Sequence, residues 1–161
     1  AASAEDYRAM ADQEDAEAIM RDKEAIILDQ QAAISEVQAK NTIVDGWKAV
    51  AQFRVEGDQA LGETRAQMGA SGFEVNTGTN VDVQIDTVQA TEVDAQTMKY
   101  NSRLEAFGLE QDAFKLSFSA YKSRFEADQS REKAKSYRSA ANRVKNSGGG
   151  FFGINIGGIS I

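Results

Sequence analysis

From Ala1 to Ile161 the chain contains no proline, and this absence constrains its folding more than any residue present. Proline removes a backbone donor and clashes with the preceding turn, so it is the residue that stops long helices. Nothing of that kind interrupts the two runs rich in Ala, Glu, Asp, Gln and Lys that make up most of the sequence, and most of these residues are good helix formers. The pattern breaks at MGASGFEVNTGTN, residues 68–80, where Gly69, Gly72 and Gly78 fall among small polar residues. Glycine supplies backbone conformations that other residues avoid. The sequence therefore predicts helices over about 3–68 and 80–145, reversing through a loop at 69–79. Gly69, Ser71, Gly72, Gly78 and Thr79 are the candidate reversal residues. Thr79, with Asp82 three residues on, reads as an N-cap in a near-capping-box arrangement.

Folded back at this loop, two segments of about 65 residues would run side by side for roughly 100 Å at 1.5 Å per residue. Charge favours the same pairing. Residues 1–38 carry ten acids and three bases, whereas residues 99–145 carry six acids and eleven bases. The acidic beginning would then lie beside the basic end. The expected fold class is all-α, a single helical domain over 1–147 in the form of a long hairpin that assembles as a helical oligomer. Gly46, Gly57 and Gly62 each cost about 1 kcal/mol against Ala inside a helix, so breaks in the first helix are expected near them.

Hydrophobic periodicity supports both helices. Ile19, Ile26, Ile27, Ile34, Val37, Val44, Trp47 and Ala51 recur at helical spacing. The second helix carries a stronger pattern: Tyr100, Leu104, Phe107, Gln111, Phe114, Phe118, Tyr121 and Phe125 alternate at steps of four and three, a heptad seam with one polar interruption. Leu109 and Leu116 widen it. Such a stripe is usually a core. Yet a two-helix hairpin covers only part of so many aromatics, each of which buries about 150–250 Å² when enclosed. Tyr100, Leu104, Phe107, Phe114, Phe118, Tyr121 and Phe125 are therefore candidates for a surface covered by further copies or by lipid. Arg131, Lys133, Lys135, Arg138, Arg143 and Lys145 crowd the end of this helix, where bases suit the dipole.

Composition narrows the chemistry. The chain has no His and no Cys, so it can form no Ser-His-Asp or Cys-His pair, no ordinary zinc site and no disulfide. Its acids do not follow calcium-loop spacing. The glycine loop lacks the lysine of a phosphate cradle, and no base occurs between Arg65 and Lys99. The net charge of −7 disfavours general DNA binding. Catalytic, cofactor-binding and metal-ligating residues are each read as none. No small-molecule substrate is expected. The acidic start, AASAEDYRAM, predicts no signal peptide, and the only long uncharged stretch is the tail.

That tail, GGGFFGINIGGISI at residues 148–161, is a different material. It has no charge, unlike an ordinary disordered terminus. Phe151, Phe152, Ile154, Ile156, Ile159 and Ile161 are candidates for docking on protein, through added-strand pairing, or for insertion into lipid. It is too short to span a bilayer as a helix. Disorder remains the third alternative.

The run Arg65 to Gly108 resembles a known family. Its elements are Arg65-Ala66, Gly69-Ala70-Ser71-Gly72, Thr77-Gly78-Thr79, Asp94-Ala95, Tyr100-Asn101 and Ala106-Phe107-Gly108. In this order they resemble the small internal virion proteins, or ejection proteins, of short-tailed bacteriophages of the T-seven type. Phe73 and Thr79 depart from that pattern, where a smaller aliphatic and Ser are usual. The tail lies outside it.

The resemblance implies a non-enzymatic protein of the virion interior, packed near the portal. It would be ejected into the host, with copies joining a genome-delivery conduit across the outer membrane of the cell envelope. Implied partners are its own copies, other ejection proteins, portal or tail proteins, and host outer-membrane lipid, with DNA passing only as cargo. The competing expectation is a purely structural core or scaffold-like component without membrane activity.

Overall fold

The computed structural model describes residues 1–149. They form two α-helices, α1 (Ala4–Ala70) and α2 (Thr79–Gly149), packed against each other as a hairpin. α1 begins with a reciprocal cap that the pattern Ser-x-x-Asp could have announced. Ser3 Oγ accepts from the Asp6 N–H at 3.1 Å, while the Ser3 N–H donates to the Asp6 carboxylate at 2.8 Å. That donation is the main reason the Asp6 carboxyl lies below its usual range.

α1 is continuous through Gly46, Gly57 and Gly62, contrary to the expected breaks. Two of these glycines serve a different purpose. A Cβ built on Gly46 would stand 2.2 Å from Ser102 Oγ, and one on Gly57 would stand 2.6 Å from Thr91 Cγ2. A side chain at either position would collide with α2, and close packing offsets their poor helix propensity.

Two compact units make up the chain: Ala1–Gln31 with α2 from Lys115 onward (the terminal unit), and Ala32–Phe114 (the loop unit). In the terminal unit the helices meet along alanines spaced seven apart. Ala11, Ala18 and Ala25 face Ala120, Ala127, Ala134 and Ala141, all essentially inaccessible, with Ser123 and Ser130 buried among them. Seven-residue spacing keeps one seam turned toward a partner helix. Alanine at the seam leaves little side-chain bulk between the helices, which allows the backbones to approach closely. Tyr7 and Tyr137 stack farther along, with ring centroids 6.4 Å apart.

The loop unit starts with the same spacing, at Ala32, Ala39 and Gly46, and then changes. Positions 46, 57 and 68 on α1, and 80, 91, 102 and 113 on α2, face inward at steps of eleven. Eleven residues make three turns of 3.67, so this pattern winds opposite to the heptad one. The buried residues here are again small: Ala95, Ala106 and Ala113, with Val50 the largest.

No large side chain among the described residues is fully buried. The inner seam is the alanine, serine and glycine stripe, and the aromatic heptads lie elsewhere. Leu109 and Leu116, expected to widen the aromatic stripe, instead sit half-buried on the inner seam. They stand three residues after Ala106 and Ala113, which places them on the inward face. A Phe in place of these alanines would force the helices apart, so the small residues win the inner face and the large ones are left outside.

Candidate assembly surface and reversal loop

The reversal uses two glycines in the left-handed region. Gly72 has φ +80° and Gly78 φ +55°. At the end of α1, the Gly72 N–H donates to the Gly69 carbonyl and the Phe73 N–H to the Met68 carbonyl, each at 3.1 Å. This is the Schellman pattern, which turns the chain away while satisfying the last carbonyls. Gly69 lies within α1, and Ser71 is the residue between the helix and Gly72. At the start of α2 the Gly78 carbonyl accepts from Val81 N–H at 3.1 Å and Asp82 N–H at 3.4 Å. Gly78 therefore holds the entry position expected of Thr79, which is already the first residue of the helix.

Side chains brace the loop. Gln84 Nε2 donates to the Val75 carbonyl at 2.7 Å, Asn80 Nδ2 to the Glu74 carbonyl at 3.0 Å, and Arg65 Nη2 to Asn76 Oδ1 at 3.3 Å. The polar groups of this segment are thus largely occupied with one another, as suits a connector.

Cross-hairpin ion pairs follow the seam. In the terminal unit Arg124, Arg131 and Arg138 pair with Asp29, Asp22 and Asp15, and both series step by seven. Arg21 adds a pair to Glu126 at 3.0 Å. Hydrogen bonding to Asp22 and to Asp15 is the first cause that raises Arg131 and Arg138 above the usual guanidinium range. The bases expected to serve the helix end therefore act partly across the hairpin instead. In the loop unit Arg54 grips Glu92 with Nε at 3.2 Å and Nη2 at 2.8 Å. Glu92 lies below its usual range, first through a bond from Gln96 and then through Arg54.

The candidate seam residues of α2 all face outward. In the loop unit Tyr100, Leu104, Phe107 and Phe114 are more than half exposed, and Phe114 reaches 72%. In the terminal unit Phe118, Tyr121 and Phe125 are exposed likewise. The aliphatic stripe of α1 is outward too, at Ile19, Ile26 and Ile27 in the terminal unit and at Ile34, Val37, Val44 and Trp47 in the loop unit. At 100° per residue, these side chains stand about 100–200° round their helices from the buried alanines. Each helix is therefore apolar on two faces, one small-residue face toward its mate and one large-residue face toward solvent.

The tail candidates Phe151, Phe152, Ile154, Ile156, Ile159 and Ile161 lie outside the described residues. Among those described, no helix is long and apolar enough to cross a membrane. No protein-family model, curated protein or solved structure matches the chain.

Proposed function

We propose that this chain is a non-enzymatic assembly protein of a short-tailed bacteriophage, carried inside the virion and ejected into the host. There its copies would join into part of the genome-delivery conduit at the outer membrane. The observation that carries the self-assembly part is the inversion of size between the two faces. Alanines are buried while Trp47, Phe107, Phe114 and Phe118 are exposed. Large apolar side chains left exposed in this number within each unit mark interaction surfaces. The phage assignment rests on the resemblance of Arg65–Gly108. Its partners on this reading are other copies, fellow ejection proteins, portal or tail proteins, and envelope lipid.

The test is release of dye from vesicles of bacterial outer-membrane lipid, run with the full chain and with a chain ending at Ser147. Release together with a larger assembly supports the conduit. Its loss on truncation assigns insertion to the tail. Absence of both release and vesicle binding favours the second reading, a structural virion component held by helix packing.

A further inference from the structure

We infer that neighbouring copies pack side by side in the same direction, the aliphatic stripe on α1 of one copy against the aromatic stripe on α2 of the next. The inference rests on the self-assembly part of the reading above and names the faces that meet.

Axial register is the first argument. In the loop unit Gly46 and Ser102 touch across the hairpin. Val44 and Leu104, two residues before one and two after the other, therefore share a level, as do Trp47 and Tyr100. In the terminal unit the Asp29–Arg124 pair sets the level, and Ile26 and Phe125 lie on the same side of it, three residues and one residue away. In each unit the two outward stripes thus occupy the same stretch of the hairpin. A second copy beside the first, without axial shift, brings one stripe onto the other.

Charge is the second argument. Residues 1–38 are strongly acidic and 99–145 strongly basic. Packing α1 against α2 of the next copy repeats the acid-beside-base pairing already seen at Asp15–Arg138 and Asp22–Arg131. Pairing α1 with α1, or α2 with α2, in the same direction would set like charges side by side, which is unfavourable.

Area is the third. Half-exposed large side chains offer roughly 100 Å² each, so the eight in the loop unit supply about 800 Å² and the six in the terminal unit about 600 Å². A stable interface buries about 1,600 Å² in total, so flanking polar side chains need add only a little. Because the two surfaces in contact differ, the interface is head-to-tail. Such an interface closes into a ring or continues as a filament, whereas a self-matching face would stop at a two-fold dimer.

The chain has no cysteine, so single cysteines report contacts cleanly. Val44→Cys and Leu104→Cys full-length chains are oxidised separately and as an equal mixture, with and without outer-membrane lipid vesicles. Circular dichroism checks that both keep their helix content. The expected result is a disulfide-linked dimer in the mixture that is lost when either variant is alone. Linking of Val44→Cys to itself, or of Leu104→Cys to itself, overturns the inference in favour of a two-fold contact. No linking in any sample also overturns it. Dye release separates this outcome from the conduit reading. Linking without release leaves the interface standing and counts against the conduit, whereas release without linking does the reverse.

Discussion

Gly46 and Ser102 share one space: the Ser102 hydroxymethyl group occupies the position a Gly46 side chain would need, 2.2 Å from Oγ and 2.5 Å from Cβ. Gly46→Ala is therefore expected to destabilise the hairpin although alanine is the better helix former by about 1 kcal/mol. Adding Ser102→Gly should restore part of the loss by moving the gap to the other helix. Gly62 has nothing within 4 Å of its would-be Cβ, so Gly62→Ala should raise stability by about 1 kcal/mol. Urea unfolding of the three variants beside the unaltered chain checks the pattern.

At the reversal, Gly72 sits at φ +80° in the Schellman turn. A side chain there costs roughly 1–2 kcal/mol. Gly72→Ala should lower the unfolding midpoint, and Gly72→Val should lower it further. Gly69→Ala falls inside α1 and should cost nothing. Thermal unfolding followed by circular dichroism distinguishes the sites.

The Asp22–Arg131 pair is one rung of an exposed ladder, so its contribution is about 1 kcal/mol or less. Asp22→Arg sets two guanidinium groups together and should destabilise. The exchanged pair, Asp22→Arg with Arg131→Asp, should recover most of the loss. In about 1 M salt, where screening acts within ~3 Å, the differences should shrink. A double-mutant cycle at two salt concentrations measures this.

Asp6 and Glu92 both lie below their ordinary range. A depressed folded-state value stabilises the fold above the unfolded value, near pH 4, and the gain is lost as pH falls through the folded value. Protection of the backbone amides at residues 4–7, measured against the exchange of an unstructured chain at the same pH, should therefore fall on acidification below about pH 4. Asp6→Asn should show reduced protection at neutral pH and little further change. Equal acid sensitivity in both chains would show that the cap does not hold the helix start.

Much of the fold was legible in the residues. The absence of proline and the cluster Gly69, Gly72 and Gly78 marked two helices and one reversal, and the charge asymmetry marked which ends lie together. What misled was size. Tyr100 to Phe125 and Ile19 to Trp47 carry the stronger hydrophobic signal, because hydrophobicity scales weight large side chains. The inner seam at Ala11, Ala18, Ala25, Ala120, Ala127 and Ala134 is nearly silent on such scales, and only its seven-residue spacing betrays it. The glycines of α1 misled for a related reason. Helix propensity is a local preference, while Gly46 and Gly57 answer to Ser102 and Thr91, some 56 and 34 residues away. Gly78 displaced Thr79 as the entry residue because a positive φ was needed one position earlier.

On the proposed reading, other copies cover the large apolar side chains that the hairpin leaves exposed. Phe114, at 72% exposure, tests it most directly. Sedimentation velocity of the full chain and of Phe114→Asp, with helix content recorded in parallel, is the measurement. The expected result is an oligomer for the full chain and a smaller species for the variant, with helix content and unfolding midpoint of the hairpin unchanged at low concentration. A monomer in both, or a variant that loses its helices while monomeric, would rule out self-assembly through this face.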